Sequence, residues 1–204
     1  MSLGVVLEKR RLRAELKARR ATLAPGDRAR ASNQACAALM ASALWRQAER
    51  VALFHAMPDE VSTRSLLESA WRDGRRVALP VTPPLGSPLV FRWVEPTTPL
   101  KRARYGALEP EPSAARARLD ALQLVVVPGL GFDERGARLG AGGGYYDRTL
   151  SRTGPGVMLA FSCQRLDRVP EEAHDRRVVA VATELGWMWS SPGAPPPPGP
   201  VKRP

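Results

Sequence analysis

The chain has 204 residues, 44% of them hydrophobic, and 31 Lys and Arg against 20 Asp and Glu give it a formal charge of +11. This length and apolar content provide for one substantial core, so we expect one domain. No stretch approaches the roughly 20 consecutive apolar residues of a transmembrane helix. The basic N-terminus is not followed by the apolar run of a signal peptide. These features exclude a membrane-spanning protein, and we expect a cytoplasmic one.

The excess of positive charge admits two classes of partner, nucleic acids and anionic small molecules. Aromatic residues make up only 6% of the chain, and no recognisable nucleic-acid module is present. We therefore favour a small anionic substrate and expect neither nucleic acid nor membrane as a partner. Cys36 and Cys163 have no zinc-ligand spacing and are predicted to be buried thiols in a reducing compartment.

Hydrophobic periodicity predicts the elements in chain order. Four helices are expected: Val6 to Arg20, a second after Pro25-Gly26-Asp27 that continues to about Gln47, a third that Ser62 or Thr63 caps and Gly74 closes, and a fourth that ends near Arg152. Six strands are expected: Arg50 to Phe54, Val77 to Val81, Leu89 to Val94, Leu124 to Val127, Val157 to Phe161 and Val178 to Ala182. The segment from Glu95 to Ser113 is rich in proline and polar residues and is predicted to be a long loop.

Strands that alternate with helices are typical of a three-layer α/β/α fold with a mostly parallel, Rossmann-like sheet. We expect residues 1–189 to form this single domain and the Pro-rich tail, residues 190–204, to be disordered and dispensable. Ligands of such sheets bind beyond the carboxyl ends of the strands. The loop from Met57 to Glu60 and a glycine-rich loop after Val127 both follow predicted strands.

The glycine-rich loop, Gly140-Ala141-Gly142-Gly143-Gly144, is the strongest candidate for a binding site. Glycine backbone can bring several N–H groups close to one anion, and the start of a helix adds partial positive charge. The loop lacks the Lys and Ser or Thr of a Walker A motif. Arg138 is suited to phosphate, and Asp147 is suited to Mg²⁺ beside phosphate. The alternative is a flexible turn followed by a helix-capping acid, with Tyr145 and Tyr146 used for packing.

Three further features have a structural alternative that is favoured when each is considered alone. Lys9 and Arg13 fall in one basic helix, which indicates a solvated face. Glu60 is a single loop carboxylate, which is usually solvated. His174 is more often structural than catalytic, although the adjacent Asp175 is a candidate second metal carboxylate.

Together these motifs resemble the 5-formyltetrahydrofolate cyclo-ligase family over the chain up to about Trp189. In order, they are Lys9-x-x-x-Arg13, Glu60-Val61-x-Thr63, Tyr105-Gly106 with Glu109-Pro110, Pro128 to Asp133, Arg138-Leu139-Gly140-x-Gly142-x-Gly144-Tyr145-Tyr146-Asp147, Gln164, and Pro170 to Asp175. The resemblance implies a ligase of folate one-carbon metabolism. Its reaction converts 5-formyltetrahydrofolate to 5,10-methenyltetrahydrofolate, with ATP and Mg²⁺, through phosphorylation of the formyl oxygen and release of ADP and phosphate.

The resemblance also implies residue roles. The ATP-binding residues are Lys9, Arg13, Arg138, Leu139, Gly140, Ala141, Gly142, Gly143, Gly144, Tyr145 and Tyr146. The folate-binding residues are His55, Met57, Glu60, Tyr105, Gly144 and Tyr145. Arg138, Tyr145 and Asp147 are the catalytic residues, and Asp147 and Asp175 are the metal ligands.

Some residues depart from the family pattern. Ala141 stands where many members carry Tyr or Arg, Gly143 where some carry Lys, and Val179 where Asp is common. These departures bear on affinity and on polyglutamate preference more than on the type of reaction. We expect a monomer. The alternatives are a related enzyme with another substrate and a basic nucleic-acid-binding protein that has no use for Asp147.

Overall fold

The computed structural model describes residues 3–103 and 106–190, with the side chain of Trp189 excepted. The helices in these ranges are α1 (Leu3–Ala21), α2 (Pro25–Met40), α3 (Ala43–Gln47), α4 (Arg64–Arg72) and α5 (Tyr145–Leu150). The strands are β1 (Arg50–Ala52), β2 (Arg76–Val81), β3 (Val90–Val94), β4 (Leu100–Arg102), β5 (Leu108–Pro110), β6 (Arg116–Ala117), β7 (Leu124–Val127), β8 (Gly131–Phe132), β9 (Arg138–Leu139), β10 (Gly156–Leu159), β11 (Ala180–Thr183) and β12 (Gly186–Trp189).

One eight-stranded sheet organises the molecule, in the order β12-β11-β10-β7-β1-β2-β3-β6. The strands from β11 to β2 run parallel, whereas β12, β3 and β6 join the two edges antiparallel. The carboxyl ends of β1 and β7 lie side by side because these strands pair in parallel. The chain segments that leave them therefore begin at the same edge of the sheet.

The central strand β7 shows why the sheet is covered on both faces. All of its residues are buried, and successive side chains point to opposite faces. Leu124 and Val126 pack in one apolar cluster with α2, α3 and α4. Val125 and Val127 pack in a second cluster with α5 and the 3-10 turn Leu119–Ala121. This three-layer arrangement with a mostly parallel sheet confirms the predicted fold class.

Helix α1 packs against a third buried cluster rather than lying alone on the surface. Its Leu12 and Leu16 pack against Leu130, Leu139 and Val169. The first two of these partners lie in and beside the β8–β9 hairpin, which follows the carboxyl end of β7. The cluster thus brings the buried face of α1 close to the glycine-rich loop that follows β9.

One predicted helix boundary was wrong, and one predicted cap makes a different hydrogen bond. The helix expected to reach Gln47 is divided, because Ser42 begins a new helix and its side chain accepts a hydrogen bond from the Trp45 N–H. Thr63 precedes α4 as predicted, but its hydroxyl donates to the Phe54 carbonyl at 2.7 Å and does not cap the helix.

The extent of strand structure was underestimated. Part of the expected loop from Glu95 to Ser113 is the antiparallel pair β4–β5, and the strands β6, β8, β9 and β12 were not predicted. Ser190 was assigned to the tail, yet its N–H donates to the Val179 carbonyl at 2.9 Å, which joins it to the folded domain. The rest of the predicted tail lies outside the described residues.

Candidate active site

A cleft of about 980 Å³ opens at the carboxyl edge of the sheet. It is bounded by α1, by the loop after β1, by the β4–β5 hairpin and by the glycine-rich loop. Tyr105 is outside the described residues. Every other residue predicted to bind or act lines this one cleft: Lys9, Arg13, His55, Met57, Glu60, Arg138, Leu139, Gly140, Ala141, Gly142, Gly143, Gly144, Tyr145, Tyr146, Asp147 and Asp175.

The glycine-rich loop runs between β9 and α5 with its backbone donors unused. Within the described residues, no hydrogen bond is donated by the N–H groups of residues 140–144. Gly142 and Gly144 have φ values of 110° and 63°, a conformation that favours glycine. The Arg13 guanidinium lies about 3.5 Å from the position of a Cβ at Gly142, and its Nε donates to the Gly140 carbonyl at 3.0 Å. Arg13 therefore ties α1 to a loop whose donors are free for an anion.

Arg138 is the buried cation beneath this loop. Its side chain is only 3% exposed, and its Nη2 lies 2.9 Å from Asp147 Oδ1. The guanidinium also lies over the Tyr146 ring, 5.7 Å from the centroid. A Cβ at Gly140 would come within 2.8 Å of Arg138 Nη1, so glycine here leaves the room that the guanidinium occupies. Its buried Nε has no hydrogen-bond partner among the described residues.

Asp147 uses a single oxygen for its protein contacts. Oδ1 accepts from Arg138 Nη2 and from the Arg176 N–H at 3.1 Å. The described residues supply no hydrogen bond to Oδ2. The second contact also brings Arg176, the residue after Asp175, next to Asp147, so the chain segments that carry the two predicted metal ligands are neighbours although they come from different parts of the fold.

Lys9 lies in an ion-pair cluster and is not on a solvated helix face. Its Nζ contacts Asp175 Oδ2 at 2.5 Å and Glu172 Oε2 at 3.0 Å. Burial lowers the pKa of Lys9, but the two carboxylates outweigh burial and raise it. Burial raises the pKa of Asp175, and the hydrogen bond from Lys9 reverses the shift, so this pKa is below its usual value. Asp175 Oδ1 makes no hydrogen bond among the described contacts, and His174 Nε2 lies 3.7 Å from it.

Glu60 marks the opposite part of the cleft. Its Oε2 accepts the Met57 N–H at 3.0 Å and so closes the loop between them. Burial raises the pKa of this carboxyl above its usual value, and the nearby Arg20 partly opposes the rise. The same carboxylate, after burial itself, raises the pKa of Tyr146. His55 and Met57 are half-buried beside it, so a flat ligand would meet apolar surface and one acceptor.

Tyr145 lies between the two parts of the cleft. Its hydroxyl donates to the Pro83 carbonyl at 3.0 Å, and a Cβ at Gly143 would come within 2.7 Å of its ring. The absence of a side chain at residue 143 thus allows the Tyr145 ring to lie against the loop. The Arg148 guanidinium is 5.7 Å from the centre of this ring.

Several residues that line the cleft were not predicted to be site residues: Lys17, Arg20, Asp59, Thr82, Glu109 and Glu172. Glu109 is buried and accepts hydrogen bonds from the Thr82 N–H and hydroxyl. The sequence does contain a signal for Arg20, because it continues the helical spacing of Lys9, Leu12 and Leu16. In the structure all four side chains are on the buried face of α1.

A second, smaller cleft of about 500 Å³ lies at the far edge of the sheet, beside β3 and β6. Its arginines, Arg116, Arg118 and Arg152, are exposed, and none of the predicted site residues lines it. The large cleft is therefore the one where chemistry is expected. It combines free backbone donors and cations at one end, two carboxylates that each keep one oxygen available, and the half-buried acceptor Glu60 at the other end.

Comparison with known proteins gives a consistent result. A model of the 5-formyltetrahydrofolate cyclo-ligase family matches residues 5–184. The chain is 35% identical over 182 residues to the 5-formyltetrahydrofolate cyclo-ligase of Escherichia coli strain K12, and the aligned region covers 85% of this chain and 100% of that one. It is 37% identical over 136 residues to the protein of the same name from Haemophilus influenzae, covering 64% and 73%.

A solved structure shares the fold as well. The NMR structure of Aquifex aeolicus 5,10-methenyltetrahydrofolate synthetase matches with a TM-score of 0.80 at 28% identity, over 96% of this chain and 99% of that one. Among the described residues, no helix has the length and apolar character needed to cross a membrane.

Proposed function

Because the chain belongs to the 5-formyltetrahydrofolate cyclo-ligase family, we propose that it catalyses the ATP- and Mg²⁺-dependent cyclisation of 5-formyltetrahydrofolate to 5,10-methenyltetrahydrofolate, with release of ADP and phosphate. The observation that carries the proposal is that one cleft contains both the glycine-rich loop with its acids and the half-buried acceptor Glu60. A reaction that moves a phosphoryl group onto a folate requires both substrates in one site. We further propose that the enzyme acts in the cytoplasm.

The reaction needs an activated oxygen, because a formamide oxygen is a poor leaving group. ATP supplies the γ-phosphoryl group that converts the formyl oxygen to a phosphate, so that N10 can attack the formyl carbon, close the ring and release that oxygen in phosphate. Phosphoryl transfer asks the protein for alignment and charge neutralisation rather than for covalent chemistry.

The residues proposed to hold the nucleotide phosphates are the backbone donors of Gly140 to Gly144 with Arg13 and Arg138. Free N–H groups in a glycine-rich loop are suited to phosphate oxygens, and Arg138 adds a buried cation whose charge is little screened by water. Lys9 lies at the same end of the cleft and supplies a further positive charge. Leu139, Ala141 and Tyr146 complete the lining beside them.

Asp147 and Asp175 are proposed to hold Mg²⁺. This ion typically takes one or two carboxylates together with phosphate oxygens and water, and each of these acids leaves one oxygen without a hydrogen bond among the described contacts. No group of three or more His, Cys, Asp and Glu side chains suited to a metal occurs within residues 3–103 and 106–190. A two-carboxylate site completed by phosphate fits that finding.

The folate is proposed to bind at the Glu60 end. The pterin ring presents N–H donors to the Glu60 carboxylate, which when ionised has two acceptor oxygens and no donor to oppose them. His55, Met57, Gly144 and Tyr145 line this region and would position the formyl group toward the phosphates. Tyr105 stays a predicted contact that lies outside the described residues.

The proposal is tested by following absorbance of the methenyl product while purified protein meets 5-formyltetrahydrofolate and Mg²⁺, with and without ATP. The proposal requires product only when ATP is present. Absence of product from protein shown to be folded by circular dichroism would contradict it and would direct attention to a different substrate for the same fold.

A further inference from the structure

Arg20 is a buried cation in the cleft. It is 5% exposed, it follows Leu16 by one helical turn on the buried face of α1, and it lines the cleft. One Nη forms an ion pair with Asp59, whose side chain is 43% exposed. The buried Nε has no hydrogen-bond partner among the described residues. Burial of a guanidinium costs free energy unless the group is paired and hydrogen-bonded.

The loop from Met57 to Glu60 is the structure that Arg20 holds. The Glu60 N–H donates to the Met57 carbonyl at 2.9 Å, and the Met57 N–H donates back to the Glu60 carboxylate. Arg20 holds the loop from α1 through Asp59. Arg28 holds it from α2 through the Pro58 carbonyl at 3.2 Å. Two arginines on two helices thus fix one short loop, and only one of them bonds a carboxylate next to Glu60.

The charges around Glu60 identify what Arg20 adds. Burial raises the pKa of the Glu60 carboxyl and Asp59 raises it further, whereas the hydrogen bond from the Met57 N–H and the charge of Arg20 lower it. On α5, Tyr146 is made a weaker acid by burial and by Glu60. His55 lines the cleft from the loop that carries Glu60. Arg20 is therefore the charged side chain that, together with the Met57 N–H, favours the ionised form of the half-buried Glu60.

We infer that Arg20 is a positioning residue for the folate: it fixes the Met57–Glu60 loop through Asp59, and its charge maintains Glu60 as the carboxylate that accepts the N–H groups of the pterin. The inference rests on the proposed function, because it takes Glu60 to be the folate acceptor. Arg20 need not touch the reacting atoms for this role. The residue acts on binding through Glu60.

The test is calorimetric titration of the protein with 5-formyltetrahydrofolate, without ATP, from mildly acidic to mildly alkaline pH. Three variants are compared with the parent chain. Arg20→Met removes the charge and Arg20→Lys keeps it. Arg28→Met is the matched control, because it removes the arginine of α2 that contacts the same loop. Affinity requires the ionised Glu60, so it falls as pH drops through the pKa of that group. Without Arg20 the midpoint moves to higher pH.

A cation near a carboxylate favours its ionised form, so we expect Arg20→Met to bind more weakly than Arg28→Met at acidic pH. At alkaline pH its affinity approaches that of Arg28→Met. Arg20→Lys restores the midpoint. An affinity that falls by one factor at every pH, with the midpoint unchanged, would overturn the inference, because loss of loop structure alone has that effect.

Two further variants keep the inference testable should Arg20→Met fail to fold. Asp59→Asn removes the anion beside Glu60 from a half-exposed position, and we expect the midpoint to move to lower pH; an unchanged midpoint would overturn the inference. Glu60→Gln should weaken binding and abolish its pH dependence. If Glu60→Gln binds folate as the parent does, the folate site of the proposed function is wrong, which is a separate failure from that of Arg20.

Discussion

At the scale of single residues, the site is organised by ion pairs that join distant parts of the chain. Lys9 meets a carboxylate 166 residues away, and Arg138 pairs with Asp147 across the glycine-rich loop. Each pair is largely buried, so its charges are neutralised before any ligand arrives. When the proposed phosphate and divalent cation bind, Lys9 and Arg138 can exchange their carboxylate partners for phosphate, and the acids can exchange theirs for the metal. No charge in the cleft is then left unpaired.

The Arg138–Asp147 pair yields a prediction that separates stability from function. Asp147→Ala leaves the Arg138 charge buried without a partner, which should lower the free energy of unfolding by about 3 kcal/mol. Asp147→Asn keeps an oxygen acceptor for Arg138 and the Arg176 N–H, and should cost about 1 kcal/mol. Both variants should lose nearly all turnover, because neither retains the carboxylate proposed for Mg²⁺.

Urea unfolding and the ATP-dependent assay measure these two quantities on the same preparations. Equal loss of stability in both variants would show that Arg138 does not depend on Asp147. Full activity of Asp147→Asn at limiting Mg²⁺ would contradict the metal role.

The sequence identified residues better than it identified their partners. Every described residue that was predicted to bind or act lines the large cleft, because motif residues keep their place when a fold is shared. The cluster that encloses Lys9 was not predictable, since Glu172 and Asp175 reach it only through the folding of the whole domain. Asp59 was missed because by itself it looks like an ordinary loop charge, whereas Arg20 was missed although its helical spacing from Leu16 was a signal.

At the scale of elements, secondary-structure predictions were correct where burial produces a run of apolar residues. They were wrong where an element depends on a single hydrogen bond or on a short strand pairing. The buried strands β7 and β11 were recognised from their apolar runs, although β11 begins two residues later than predicted. The break between α2 and α3 depends on a single hydroxyl at Ser42, and the β4–β5 pair consists of two three-residue strands. Neither leaves a periodic signal long enough to detect.

The turn of the β8–β9 hairpin supports a prediction about glycine. Gly136 has φ 77°, and a Cβ there would lie 2.3 Å from the Val178 carbonyl oxygen. Gly74 is a matched control, with φ 70° and nothing within 4 Å of the same position. Gly74→Ala should cost about 1 kcal/mol of backbone strain alone, whereas Gly136→Ala should cost about 3 kcal/mol or more because backbone must also move.

Thermal unfolding of the two variants tests this expectation. Equal destabilisation would show that the contact with Val178 is relieved without cost. The same β8–β9 hairpin packs against α1, so a destabilised turn should also weaken nucleotide use through Arg13.

At the scale of the whole molecule, carboxylates with a lowered pKa make the free energy of unfolding depend on pH in the acidic range. Asp133 is fully buried. Burial raises its pKa, but the Val169 and Arg135 N–H groups and the Arg135 guanidinium outweigh burial and lower it below the usual 3.8. The pKa of Asp175 is lowered in the same way by Lys9. A lowered pKa in the folded state gives stability that is present above the usual pKa and is lost as pH falls through the folded value.

We therefore predict that the midpoint of thermal unfolding falls steeply as pH drops below about 3.8, the usual pKa of these groups. Asp133→Asn should flatten this fall and lower stability at neutral pH. Asp120 is the control: its pKa is also lowered, by Arg118, but the pair is exposed, so Asp120→Asn should leave the curve unchanged. A curve that Asp133→Asn does not alter would show that other groups govern acid unfolding.

The whole-molecule arrangement explains why two chemically different substrates share one site. The carboxyl ends of β1 and β7 lie side by side; the first leads to Glu60, the proposed folate acceptor, and the second to the glycine-rich loop proposed to bind phosphate. Helix α1 spans the cleft between them, with Lys9 at one end and Arg20 at the other. Over the 11 residues that separate these positions, a helix rises about 16 Å, which is long enough to contact both ligands at once.

The most direct test of this account is to follow the formyl oxygen itself. The substrate is prepared with an oxygen isotope label in its formyl group and converted with ATP and Mg²⁺, and the released phosphate is analysed by mass spectrometry. Transfer of a phosphoryl group onto the formyl oxygen predicts one labelled oxygen in each phosphate formed. Unlabelled phosphate, with the label released as water, would contradict the central claim that the cleft brings the phosphate loop and the folate together.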